Sequence, residues 1–354
     1  MRDFGIESHK LNFHPDRLQR WREGKDIYPI YMEISPTNSC NHRCIFCAFD
    51  YMEYKPVFID KTVLKRFLAD SAKRGVKSIM FGGEGEPLLH KDISEFILFA
   101  KEKGLDIAVT TNGIMMDKKL ASLTLDKLSW IRFSLDGSTP KTYSSIHHCP
   151  KDDFQKAISN LDNLVKLKKR GRYKTTIGVQ FLLLNQNYSE AVALAKLLKK
   201  IGVDYLIVKP YSKHPFSRNR LSLKLDYKKY SYLEKELNKV SGPKFQVIFR
   251  SHTMKKASEE KPYERCLGFS FWAYVSSRGE LYACSCFLGD KRFRYGNLYK
   301  DNLSTIWRSS KRKKLLRMME KNWDISNCRV NCRMDEINRY LWDLRYPPEH
   351  VNFI

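Results

Sequence analysis

The chain alternates short apolar runs with stretches in which apolar residues recur at helical spacing. Six runs read as strands: YPIYMEIS at 28–35, SIMFGG at 78–83, DIAVTTNG at 106–113, WIRFSLDG at 130–137, TIGVQFLLL at 176–184 and YLIVKPY at 205–211. Amphipathic helices fit 61–74, 92–103, 153–170 and 188–201. Continuous apolar strands separated by helices imply a parallel sheet with right-handed crossovers, covered on its outer face. Six such units predict an α/β fold built on an open, partial (β/α)6 TIM-like barrel rather than a closed eight-fold one.

The rhythm lapses between 212 and 265, a polar, Lys-rich stretch with one helix (226–239) and one strand (245–250). It then resumes differently. FWAYVSSRGELYAC at 271–284 reads as a hairpin turning at Arg278-Gly279, and helices follow near 302–321 and 333–345. The expected division is an N-terminal extension (1–27), a barrel (28–211), a bridge (212–265) and a small α+β module (266–354).

Composition narrows the class. A chain of 354 residues with 42% apolar and 13% aromatic content is a folded, core-bearing protein. It has no long uncharged apolar run, and MRDFGIESHKLNFHPDR lacks a signal segment, so a cytoplasmic protein without membrane contact is expected. The net charge of +25 suits an anionic partner. The densest basic runs, Lys166–Lys174 and Lys311–Lys314, read as solvated helix ends because no nucleic-acid-binding motif accompanies either.

Function in a parallel sheet gathers at the carboxyl ends of the strands. The loop after the first strand carries CNHRCIFC, which places Cys40, Cys44 and Cys47 within eight residues. Thiolates select zinc, copper or iron–sulfur clusters, and structural zinc wants four ligands where this loop offers three. A four-iron cubane held at three corners keeps one iron open. Three cysteines spaced C-x3-C-x2-C after the first strand of a βα barrel resemble the radical S-adenosylmethionine (radical SAM) superfamily.

That resemblance implies a [4Fe–4S] cluster on Cys40, Cys44 and Cys47, shielded by Phe46, with SAM chelating the open iron. Reductive cleavage of SAM would give a 5′-deoxyadenosyl radical, with flavodoxin or ferredoxin as electron donor. FGGEGEP after the second strand is similar to the family's GGEP segment, which implicates Gly83, Glu84, Gly85 and Glu86 in SAM binding. Aligned on Pro87, Glu84 stands where the family has Gly, which leaves open which glutamate meets the SAM ammonium. Thr111 and Asn112 after the third strand and Ser134 after the fourth match positions that contact SAM's ribose and carboxylate. Gln180 and Lys209 match by strand position only.

Cys266 and Cys284 bracket the hairpin, with Gly279 five positions before Cys284, and Cys328 and Cys332 follow. This resembles the SPASM/twitch auxiliary-cluster domain, and five cysteines favour the single-cluster twitch form. The implied ligands are Cys266, Cys284, Cys328 and Cys332, with Cys286 spare; a four-cysteine zinc site is the alternative. Cys149 has no cluster partner and reads as a small buried residue or as a hydrogen donor to a substrate radical, and His147 and His148 read as loop residues. The favoured substrate is an anionic small molecule such as a sugar, aminocyclitol or nucleotide-sugar. Ribosomal peptide maturation is the first alternative. A metal-stabilised nucleic-acid-binding protein is the second, and it leaves GGEGEP and TNG unexplained.

Overall fold

The computed structural model describes residues 8–52, 54–219, 221, 226–256 and 259–353. The remaining positions of the expected N-terminal extension and bridge lie outside the described residues. Ten strands form one sheet: β1 (Tyr31–Ile34), β2 (Ser78–Phe81), β3 (Asp106–Thr111), β4 (Leu128–Ser134), β5 (Thr176–Leu183), β6 (Tyr205–Pro210), β7 (Gln246–Phe249), β8 (Trp272–Val275), β9 (Glu280–Tyr282) and β10 (Arg294–Asn297). Their order is β10-β9-β8-β1-β2-β3-β4-β5-β6-β7.

Strands β1 to β7 pair in parallel and in chain order, which is the partial-barrel arrangement. The sheet runs one strand beyond the six expected units. β7, from the segment read as a bridge, adds to β6 in parallel, with Leu206 opposite Val247. At the other edge β8 lies parallel to β1, and β9 and β10 then continue antiparallel. The C-terminal hairpin therefore extends the barrel sheet itself.

Alternation along the strands sorts side chains between the two faces. Met32, Ile79, Ile107, Ile131, Ile177, Leu206 and Val247 belong to the main apolar core under the helices. Each helix presents a stripe to that core: in Lys61–Lys73 it is Leu64, Phe67 and Leu68, and Asp60 caps the helix by accepting from Val63 N. A helix at Lys118–Thr124 was not legible as a pattern, because seven residues carry barely two turns of periodicity. The run expected as one helix over 302–321 is two, Leu303–Arg308 and Ser310–Lys321, because Ser309 leaves helical geometry (ψ 148°) and caps the second.

A second core joins the two ends of the chain: Leu18 and Trp21, from the N-terminal helix Pro15–Arg22, pack with Leu267, Phe271 and Leu341. One basic run departs from the solvated reading. Arg312 is 1% exposed, its guanidinium 3.8 Å above the Trp307 ring and bonded to Asp26 at 2.8 Å. No helix among the described residues is long and apolar enough to cross a membrane.

Candidate functional site

The cysteine loop is fixed from its base. Thr37 Oγ1 donates to Val57 O (2.7 Å) and accepts from Ser39 N (2.9 Å), while Asn38 Oδ1 accepts from Val57 N (2.8 Å), so the strand exit and the loop's return are tied together. Its flanks dock on three neighbours. Glu86 N donates to Ser39 O (2.8 Å), Asn112 Nδ2 to Asn41 Oδ1 (2.8 Å), and Arg43 N and Ile45 N to His147 O (3.0 Å) and Ile146 O (2.9 Å).

These contacts bring the three thiols together. Burial pushes the Cys40 thiol up to about 12, and burial followed by the charges of Cys40 and Cys47 raises Cys44 well above the ordinary range. Cys40 is offered an N–H from His42 (3.5 Å), Cys47 the Tyr54 hydroxyl and the Phe49 N–H, and Cys44 stands 3.2 Å from His147 Nδ1. Donors aimed at sulfur favour thiolates, the form that binds metal. Phe46 is half-buried against Ile146, Leu182, Leu184 and Tyr211 and meets the His147 ring edge-on at 5.7 Å.

The two glutamates of GGEGEP diverge. Glu86 accepts from Thr111 Oγ1 (2.7 Å), Asn112 N (2.8 Å) and Leu88 N (3.1 Å), and its charge acts on Cys40. Glu84 turns the other way and accepts from the backbone (3.2 Å) and hydroxyl (3.0 Å) of Ser277 in the hairpin turn. Burial raises both carboxyls to about 7. Glu86 thus stands on the cysteine-loop side, and Glu84 joins barrel to C-terminal module. Between them, Gly85 lies so close to the loop that a Cβ would come 2.2 Å from Ser39 O, and Gly83, at φ +111°, sits under the Tyr274 hydroxyl.

Thr111 and Asn112 spend their side chains within the protein: Thr111 Oγ1 also accepts from Gly113 N, and Asn112 Oδ1 from Ile114 N. Ser134 ends β4 half-buried and in register with Gln180. Lys209, at the end of β6, is held down to about 7 by burial and then by the charges of Arg132 and Arg329, with Arg250 adding a smaller push. Arg329 Nε is buried with no hydrogen-bond partner among the described residues.

The reading of His147 as a loop residue is corrected. It closes the helix Pro140–His147, 1% exposed, and faces Cys44, whereas His148 follows in the left-handed conformation and is exposed. The signal was available only as helical spacing from Tyr143 to His147, one turn apart on the buried face. Cys149 lies behind the loop, where its Sγ, a His42 nitrogen and an Asp153 oxygen fall within 4.8 Å of one another.

All five remaining cysteines converge between the hairpin and the last helix. Cys328 and Cys332 act on Cys266, Cys332 and Cys286 on Cys284, and Cys328 and Cys332 on Cys286. Here each sulfur receives an N–H: Cys266 from Asn338 Nδ2 (3.7 Å), Cys284 from Cys286 N (3.4 Å), Cys328 from Trp323 Nε1 (3.4 Å), Cys332 from Met334 N (3.4 Å) and Cys286 from Arg329 N. Cys286, expected as the spare cysteine, lies within this group.

Comparison with known proteins decides the family. Residues 34–203 match the radical SAM superfamily, and residues 266–333 match the SPASM iron–sulfur cluster-binding domain. The chain belongs to the radical SAM superfamily. It carries a C-terminal SPASM domain. Among curated relatives, this radical SAM chain is 26% identical over 322 residues to the tungsten-containing aldehyde ferredoxin oxidoreductase cofactor-modifying protein of Pyrococcus furiosus, covering 84% of this chain and 85% of that protein. It is 30% identical over 193 residues to GTP 3′,8-cyclase of Chlorobaculum tepidum, about half of each chain (53% and 56%). In fold it is similar to Streptococcus suis SuiB bound to S-adenosylmethionine (TM-score 0.66, 17% identity, 85% of this chain and 70% of that one). It is also similar to anSMEcpe with bound AdoMet (TM-score 0.60, 18% identity, 90% and 95%). The radical SAM [4Fe–4S] cluster, SAM and SPASM iron–sulfur chemistry follow from family membership.

Proposed function

We propose that this radical SAM SPASM protein modifies a peptide substrate through hydrogen abstraction, with Cys40, Cys44 and Cys47 holding the SAM-binding cluster. The carrying observation is the loop itself: three half-buried thiols, each within reach of a polar nitrogen, stand beside Glu86 and Asn112 at the carboxyl end of the sheet. When bound, the cluster with SAM supplies a 5′-deoxyadenosyl radical. The chain's own residues hold that chemistry in place. Glu86 fixes the Thr111-Asn112 turn against the cysteine loop, Phe46 keeps water from one flank, and Ser134 and Gln180 stand at the strand ends that would face SAM.

The peptide reading draws on fold neighbours, since SuiB has been solved with the precursor peptide SuiA and anSMEcpe with the peptide Cp18Cys. It takes precedence over the small-molecule reading expected from composition. One observation keeps an anionic small molecule as the second reading: Lys209, Arg132, Arg250 and Arg329 gather their charges at the barrel mouth. The nearly full-length relative, a cofactor-modifying protein, is compatible with it. Four cysteines of the SPASM group would close one auxiliary cluster able to accept an electron from substrate, and a ferredoxin or flavodoxin would supply the first electron.

The test is anaerobic reconstitution followed by reduction with dithionite in the presence of SAM. The expected product is 5′-deoxyadenosine, abolished by Cys→Ala at position 40, 44 or 47. Mass spectrometry of peptide and metabolite pools from a deletion strain separates the two substrate readings. A fully loaded protein that never cleaves SAM would overturn the assignment.

A further inference from the structure

Cys40 is offered a backbone N–H, and Cys47 the Tyr54 hydroxyl and a backbone N–H, but Cys44 faces an imidazole. Its sulfur lies 3.2 Å from His147 Nδ1. On the far side of the ring, Nε2 stands 3.1 Å from Asp136 Oδ2, with both side chains 1% exposed, a close approach without hydrogen-bond geometry. Asp136 is itself anchored: its Oδ1 accepts from Leu182 N (2.5 Å), and its backbone carbonyl accepts from Asn187 Nδ2 (2.9 Å).

The ring has no freedom to turn away. It stacks on Tyr143 with centroids 4.2 Å apart and meets the rings of His42 and Phe46 edge-on at 5.5 and 5.7 Å. The helix that carries it is bonded through His147 O and Ile146 O to the residues on either side of Cys44. The imidazole is therefore fixed against the Cys44 sulfur.

An N–H directed at a ligating sulfur draws electron density from the cluster and favours its reduced form, and it is one of the protein's levers on cluster potential. A ligating sulfur carries no proton and can only accept, so we propose that His147, held by its ring packing and its helix, donates a hydrogen bond from Nδ1–H to the Cys44 sulfur and raises the reduction potential of the cluster that the cysteine loop holds. The inference rests on the assignment of Cys40, Cys44 and Cys47 as cluster ligands. His147 is a positioning residue: it acts on the redox centre through Cys44.

The experiment is an electron paramagnetic resonance redox titration of the reconstituted full chain, following the signal that changes on SAM addition. His147→Leu keeps the bulk and removes the donor. A hydrogen bond to a charged acceptor is worth about a decade in an equilibrium, so the ratio of reduced to oxidised cluster at a fixed potential should fall about tenfold, which corresponds to about 59 mV for one electron. His147→Asn, whose amide can place an N–H near the Nδ1 position, should restore the wild-type ratio. A His147→Leu protein with full iron and an unchanged ratio overturns the inference and leaves the ligand assignment standing. A wild-type protein with no SAM-responsive cluster overturns the ligand assignment instead. Should the Leu variant fail to load iron, His147→Phe, which keeps a ring stacked on Tyr143 and has no donor, decides in its place: a lowered ratio supports the inference, and an unchanged ratio refutes it.

Discussion

Gly85 shows how much a single hydrogen decides. A Cβ there would press on Ser39 O, Asn38 C and Thr37 O, all within 2.7 Å and all backbone, so nothing nearby can rotate away. Gly85→Ala is expected to cost about 1–3 kcal/mol as overpacking and to displace the cysteine loop, read as lower iron content after reconstitution. Glu86→Gln has a different cost: an amide NH2 would replace one of the carboxylate oxygens that accept from Thr111, Asn112 and Leu88. An orphaned donor costs about 1–3 kcal/mol, and a urea midpoint shift of that size checks it. Lys209 sets a pH dependence. Its ammonium, lowered to about 7, is charged below that pH and loses charge above it. Affinity for an oxyanion at the barrel mouth is therefore expected to fall as pH rises through 7, and Lys209→Met should flatten the curve; calorimetric titration with inorganic sulfate, whose charge is constant over that range, at pH 6 and 8 measures both.

At the level of elements, the barrel and the C-terminal module meet through Glu84 and the hairpin turn, 193 residues apart in sequence. A buried carboxylate with two donors is well satisfied, and Ser277→Ala removes one of them. Hydrogen exchange should then quicken across β8 and β9 while β3 to β6 keep their protection; unchanged hairpin protection would show that the contact does not latch the module. This contact explains why Glu84 departs from the expected glycine, which residue spacing alone left open. The strands and the long helices were legible because each carries its own periodicity. The placement of β7 and β8 was not, since a four-residue strand does not reveal its partner, and only closure of the sheet around β6 and β1 supplies one. His147 was missed for the same reason: its partner Cys44 lies 103 residues away.

Across the whole molecule, one sheet carries a three-thiol loop after β1 and borders a five-thiol group that closes beyond β9. On the proposed reading of a single auxiliary [4Fe–4S] cluster, four thiolates would hold it and one cysteine of the five would be dispensable. Cys332→Ala is expected to lose about half of the iron; comparing Cys284→Ala with Cys286→Ala by iron analysis shows which of that pair is spare. By itself the sequence determined the βα order and the two cysteine groups with their chemistry, because ligand spacing within a loop and apolar periodicity within an element are local properties. Only the tertiary structure decided that Glu86 faces the cysteine loop while Glu84 grips the hairpin, that His147 lies against Cys44, and that Cys286 joins the auxiliary group. Those contacts depend on strand register and loop docking, and both are settled by burying side chains from segments far apart in the chain.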